Sequence, residues 1–353
     1  MSLNFAICRD DVIAAYRMLL GREPNPQEVE GHLGHASPAK LIEAFASSIE
    51  FRRRVGSSPF FHYNTTLDVA GIVERHVLPT RRALPGHIVN FLGVAMNAEF
   101  MPHHKERAGQ LDEIPIPANY HADMAEWAAV LRSLELANKN YTMIELGCGW
   151  GCWMNNTGVV AKRLGLRTHV IGIEADQGYI RFAQEALATN RINPSEYTLI
   201  RGVAAATAGF ALFPRQDAPG RHWGLEPIFG ASDKQVDEAV RSGRCDKVRV
   251  VPLAEAVGSQ PIIDLLHIDI QGGEAGLVRD CISLLTERIA YIVIGTHSRE
   301  IEGLLISELL RAGQWRLEIE RPAIFQITPH GLQTNVDGVQ GWRNIGLRPD
   351  RKS

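Results

Sequence analysis

The stretch Met143-Ile144-Glu145-Leu146-Gly147-Cys148-Gly149-Trp150-Gly151 restricts the fold more than any other part of the chain. An apolar run ends in an acid, and glycines then come at every second position. Such glycines let the backbone turn sharply and let a ligand come close. A turn of this kind is expected at the carboxyl end of the first strand of a doubly wound sheet, where nucleotide-like ligands sit. The residues on its C-terminal side support that architecture. Strand-like runs at 142–146, 168–173, 197–200, 247–251, 262–268, 290–294 and 315–319 alternate with helix-like runs at 155–164, 179–189, 274–285 and 299–312. This alternation predicts an α/β fold with a Rossmann-like, doubly wound, mostly parallel sheet and helices on both faces.

The N-terminal third reads differently. Val12, Ile13, Tyr16, Leu19 and Leu20 recur at helical spacing until Gly21, Pro24 and Pro26 stop the pattern. A second helix is expected from Pro38, with Leu41, Ile42, Phe45 and Ile49 on its apolar face. Prolines punctuate residues 55–120, and an amphipathic helix comes next, in which Met124, Trp127, Ala128, Leu131 and Leu134 share one face. The expected organisation is a mainly helical module over 1–55, a mixed helical connector over 56–120 and the Rossmann-like domain over 121–353. Within that domain, 213–243 lacks clear periodicity and reads as an inserted lid or substrate loop.

Composition excludes several functions. The 353 residues carry a formal net charge of −3, with no long basic stripe, so neither nucleic acid nor an anionic membrane surface is an expected partner. No apolar run approaches the ~20 residues that span a bilayer. The N-terminus lacks a basic start, a clean apolar block and a small-residue cleavage site. The five cysteines are sparse and lack zinc-ligand spacing, which points to reduced thiols and a cytoplasmic protein.

Spacing decides which nucleotide the turn suits. A dinucleotide site wants G-x-G-x-x-G, and position 152 would then be Gly; it is Cys152. The run is G-x-G-x-G, and the next strand ends at Glu174, followed by Ala175 and Asp176. A carboxylate there can accept both hydroxyls of a ribose, in NAD or in S-adenosyl-L-methionine. Without the third glycine the second donor is favoured. Gly147, Gly149 and Gly151 would shape the pocket, with Trp150 and Ala175 beside it. Glu145 would orient the amino-acid end and Glu174 the ribose. An NAD-dependent sugar oxidoreductase or epimerase stays open as an alternative, although no Y-x-x-x-K pair is present.

Glu145-Leu-Gly-Cys-Gly-Trp-Gly151 with Gly172-Ile-Glu174 resembles the first two motifs of Rossmann-like, class I S-adenosylmethionine-dependent methyltransferases. Asp264-Leu-Leu-His267-Ile-Asp269-Ile-Gln271-Gly272-Gly-Glu274 is similar to the FkbM methyltransferase signature D-x-x-K-I-D-V-E-G-x-E, with His267 in place of Lys and Gln271 in place of Glu. The likeness covers about 141–315. Tyr16-Arg-Met-Leu-Leu-Gly-Arg22-Glu-Pro24, with Ser48-Ile-Glu50-Phe51 further on, resembles small helical modules attached to glycosyltransferases. Together these imply O-methylation of a sugar or glycan hydroxyl. The two departures keep a catalytically inactive glycan-associated scaffold open.

A hydroxyl acceptor needs a base, and histidine titrates in the useful range. Asp269 belongs at the crevice edge of its strand and Thr296-His297-Ser298 comes after the next strand. His297 is the expected base, Asp269 its positioning partner, and His267 a third candidate on the same rim. Asp264 and Asp269 are five residues apart and point to opposite faces of a strand, so no metal is expected. Arg215, His222 and Trp223 of the insertion are candidate acceptor contacts. A homo-oligomer is compatible with all of this.

Overall fold

The computed structural model describes residues 7–48, 50–51, 63–115, 118–218, 222 and 224–350. The chain divides into two compact units, Met1–His62 and Tyr63–Ser353. The first contains helices Arg9–Ala15, Pro26–His32 and Pro38–Ser47, with a π-helical turn at Tyr16–Leu20 that ends at Gly21 in the left-handed region (φ 64°). Asn25 and Ser37 cap the second and third helices, accepting from the amides of Glu28 and Lys40, and a proline opens each. Val12, Tyr16, Val29, Leu41 and Phe45 form its core. Ile42, expected on the buried face, is 55% exposed, because Leu41 and Phe45 suffice to fill the contact. Ile49 lies outside the described residues.

The expected connector is no separate region. From Tyr63 onward it belongs to the second unit. Val69, Ile72, Val73, Phe91 and Leu92 are buried in one cluster with Trp127 and Leu131. Prolines mark turns locally but do not report which core the intervening apolar residues join.

The second unit is built on an eight-stranded sheet. Its strands are β1 (Asn64–Thr65), β2 (Asn140–Leu146), β3 (Arg167–Glu174), β4 (Tyr197–Arg201), β5 (Leu265–Ile268), β6 (Tyr291–Thr296), β7 (Trp315–Arg321) and β8 (Gly338–Asn344). They lie in the order β1-β7-β8-β6-β5-β2-β3-β4. Strands β2 to β6 are mutually parallel, while β8 runs antiparallel to both β6 and β7. Alternating side chains feed two cores. Met143, Val170, Leu265 and Val293 face α1 (Met124–Leu136) and α2 (Cys152–Arg163). Ile144, Ile171, Leu266 and Ile292 pack with residues of α4 (Glu274–Arg288) and α5 (Arg299–Arg311) on the other face. Helix α3 (Gln177–Thr189) comes directly after β3.

Two features depart from the expected sheet. Residues 247–251 are in strand Cys245–Pro252, which belongs to a separate three-stranded sheet with Val203–Ala205 and Gly209–Pro214. Strand β8, unforeseen, is buried along its whole length although it carries Gln340, Arg343 and Asn344. These polar groups are satisfied across the fold. Arg343 Nε lies 2.7 Å from Glu318 Oε1, and Asn344 Nδ2 donates to Thr286 O and Ile289 O at 2.8 and 3.1 Å. From β2 the chain winds outward through β3 and β4, then returns to β5 on the other side of β2. The carboxyl ends of β2 and β5 therefore flank the switch point, where α/β sheets bind ligands.

Candidate active site

At the end of β2 three glycines take left-handed backbone conformations, Gly147 (φ 75°), Gly149 (φ 52°) and Gly151 (φ 74°). Gly147 has a second constraint: a Cβ there would lie 2.4 Å from the Asp269 carbonyl oxygen. The amides of Gly147 and Cys148 donate to Ile173 O at 3.0 and 3.1 Å, binding the turn to β3. Glu174 completes the link. Its Oε2 accepts from Gly149 N at 2.9 Å and its Oε1 from Asp176 N at 2.7 Å. Burial pushes this carboxyl up, and the same amides pull it back toward the charged form. Each oxygen keeps a further lone pair for a ligand hydroxyl.

Glu145 is tied elsewhere. Its oxygens accept from Trp153 N at 3.3 Å and Met154 N at 2.9 Å. It thus caps α2, whose N-cap is the side-chain-less Gly151. Burial pushes its carboxyl up to about 7. A cavity of about 620 Å³ opens over this frame, a size suited to a small-molecule ligand. Gly147, Gly149, Trp150, Glu145, Glu174 and Ala175 line one side. Residues 269–273, 202–206 and 224–227 line the rest, and His121, His222 and His267 also reach the wall. Gly151 does not; it acts one step back, at the start of α2.

The acid and histidine residues separate into two groups. His267 and Asp269 line the cavity. His297 does not. Its Nε2 lies 3.3 Å from Asp269 Oδ1 and its Nδ1 3.1 Å from Glu274 Oε1. Burial alone would lower its pKa, but the two carboxylates raise it to about 10. His297 thus stands off the cavity between Asp269 and Glu274, which corrects it from base to charged support for Asp269. Burial likewise acts against the charge of Asp269, yet His297, with the charge of His267, holds it below the usual carboxylate range. Asp269, Glu274 and His297 bring three ligand-type atoms within 4.8 Å of one another. With both ring nitrogens facing carboxylates, the cluster reads as an ion-paired network. Asp264 is not part of it: it accepts from Thr142 N at 2.9 Å and pairs with Arg348 at 2.7 Å.

Glu126 and His121 escaped the sequence reading, which gives Gln271 only as a departure from the signature. Glu126, in the first turn of α1, has Oε1 3.1 Å from His267 Nε2. His121 Nε2 lies 2.6 Å from Cys152 Sγ. Burial pushes the Cys152 thiol up and His121 down to about 3, so both are neutral and no thiolate nucleophile results. Gln271 holds a left-handed backbone (φ 55°) and donates from Nε2 to Asp269 Oδ1 at 3.0 Å. The Gln-Gly-Gly run was the available signal for that tight loop.

The candidate acceptor contacts divide too. His222 lines the cavity. Arg215 is turned away, its Nε donating to Asp246 Oδ1 at 2.6 Å. Trp223 lies outside the described residues.

A mostly parallel sheet with antiparallel strands β8 and β1 toward one edge, a glycine turn at the switch point and an acid ending the next strand define a Rossmann-like domain of the methyltransferase type. No family model matches the chain. It is 44% identical over 263 residues to a protein of Jannaschia sp. (strain CCS1) described as "Putative methyltransferase", across 74% of this chain and 94% of that one. The chain belongs to that methyltransferase family. Among solved structures, methyltransferase FkbM from Methylobacillus flagellatus KT is 13% identical with a TM-score of 0.37, covering 60% of this chain and 53% of its own. The human methyltransferase 10 domain containing protein is 12% identical with a TM-score of 0.33, covering 62% and 82%. Likeness at this level carries no argument about the site.

Proposed function

We propose that the cavity binds S-adenosyl-L-methionine and that the protein methylates a hydroxyl of a sugar or glycan. The observation that carries this reading is Glu174, which grips the glycine turn through Gly149 N and the following loop through Asp176 N while lining the cavity. A carboxylate fixed in that way is ready to accept from ribose hydroxyls. The glycine turn lets the donor approach the backbone. Trp150, whose buried Nε1 has no partner among the described residues, and Ala175 form the wall beside it. Asp269, held below the usual carboxylate range, offers negative charge to a cationic donor. When bound, the donor supplies a methyl carbon whose bond to sulfur breaks as the acceptor oxygen takes it. The protein's part is to hold the acceptor in line, and such orientation supplies up to ~7–11 kcal/mol.

The choice of a glycan hydroxyl rests on the FkbM-like run at 264–274 and on the glycosyltransferase-associated motif at 16–24. Sparse, unpaired cysteines favour action in the cytoplasm. The test is transfer of a labelled methyl group from S-adenosyl-L-methionine to glycan, lipid and small-molecule fractions of the source cells. Label in a saccharide fraction is expected. Thermal stabilisation by NAD and not by S-adenosylhomocysteine would refute the donor, and label confined to nucleic acid would refute the acceptor.

A further inference from the structure

Three histidines line the cavity, and they are not equivalent. His222 sits exposed on the insertion. His121 is held against Cys152 Sγ, and burial makes it a very weak base. His267 is buried on β5, its side chain 4% exposed, in register with Glu145 of β2 and two residues before Asp269. Its Nε2 faces Glu126 Oε1 at 3.1 Å. Burial pushes the Glu126 carboxyl up and the contact with His267 pulls it back toward the charged form; as a carboxylate it only accepts, so Nε2 carries the hydrogen and the lone pair of the neutral ring lies on Nδ1. That Nδ1 is buried and has no hydrogen-bond partner among the described residues. Buried polar atoms are nearly always satisfied, and His267 lines the cavity, so its unmet Nδ1 points to a ligand atom as the missing partner.

We propose that His267 Nδ1 takes the acceptor's proton during methyl transfer and that Glu126 is the positioning residue that fixes its tautomer and ring. The proposal rests on the methyl-transfer reading above. In the step, the acceptor O–H bond breaks and its electron pair stays on oxygen for the new O–C bond. The proton goes to Nδ1, while the pair of the broken C–S bond goes to sulfur. Carboxylate, imidazole and acceptor then form the orienter–base–nucleophile series of activated hydroxyls.

The titratable groups facing the ring are Glu126 from α1, Glu145 from β2, Asp269 beyond β5 and the neutral His121 from the segment before α1. Burial disfavours the imidazolium, but the three carboxylates raise its pKa above the ordinary range. A sulfonium in the same cavity works against them, so donor binding favours the neutral, proton-accepting ring.

The test compares S-adenosylmethionine, which is cationic at sulfur, with neutral-sulfur S-adenosylhomocysteine. Calorimetry of each at pH 7, in phosphate and in Tris, reads the protons released on binding. Wild-type protein is expected to release more protons with the first ligand than with the second. His267→Asn and Glu126→Gln should lose that difference while binding S-adenosylhomocysteine within about threefold of wild type. With the acceptor fraction found by labelled transfer, His267→Asn should lower turnover ~10²–10⁴-fold. Glu126→Gln should move the acid limb of the rate profile to lower pH, because removing a carboxylate lowers the pKa of the base. Equal proton release with both ligands in the wild type, unchanged turnover in His267→Asn, or an unmoved limb in Glu126→Gln would overturn the assignment. So would a loss of S-adenosylhomocysteine affinity beyond tenfold in His267→Asn, which would make the ring a donor contact. Failure of the wild type to bind either ligand would instead remove the donor reading itself.

Discussion

Gly147 can be tested against an internal control. Gly147 and Gly165 share the same left-handed torsion, φ 75°, yet a Cβ at 147 would meet the Asp269 carbonyl oxygen at 2.4 Å while one at 165 meets nothing within 4 Å. Alanine at either site therefore carries the left-handed penalty of roughly 1–2 kcal/mol. Only Gly147→Ala adds the clash. The struck atom is backbone and no rotamer relieves it, so the overpacking cost is about 1–3 kcal/mol. The totals are about 1–2 kcal/mol for Gly165→Ala and about 2–5 kcal/mol for Gly147→Ala. At ~2–4 °C per kcal/mol for chains of this order, the second variant should melt several degrees below the first by scanning calorimetry. The displaced carbonyl belongs to Asp269, so Gly147→Ala should also weaken S-adenosylhomocysteine binding, while Gly165→Ala keeps it. Equal melting temperatures with equal affinities would refute the claim that this turn is built for close approach.

Glu174→Ala should weaken S-adenosylhomocysteine binding by ~1–3 kcal/mol, the scale of hydrogen bonds to a charged group, as read by calorimetry; unchanged affinity would remove Glu174 from the donor site. His297 has a folded pKa of about 10 against an ordinary 6.5, so its contribution is full below 6.5 and lost as pH rises through 10. The melting temperature should therefore fall between those limits, and His297→Gln should flatten the decline; parallel curves for the two proteins would show that the ion pair is not made. Because His297 lies 3.3 Å from Asp269 and 3.1 Å from Glu274 and supplies the positive charge between them, EDTA should leave methyl transfer unaltered, and a loss restored by magnesium or manganese would show a cation among them.

The strands that carry apolar alternation were legible in the sequence, and so were the four long helices between them, but not Asp233–Arg241, which lies in the stretch read as aperiodic, nor Leu253–Val257. The reason is that periodicity and punctuation are local. Cys245–Pro252 was legible as a strand, but not its sheet, since strand pairing is decided by which edges are free. β8 was illegible for a different reason. Gln340, Arg343 and Asn344 look like surface residues until the carbonyl of residue 302, the Glu318 carboxylate and the carbonyls of residues 286 and 289 arrive from distant segments to meet them in turn.

The site divides along the same line. The amino-acid order alone placed the glycine turn, the acid ending β3 and Asp269, because each is set by its place at a strand end. Only the tertiary structure decided that Arg215 faces Asp246, that His297 is locked between two carboxylates, and that Glu126 reaches His267 across 141 positions. A side chain's charge state and its freedom to act depend on what is packed against it, and those neighbours come from remote parts of the chain.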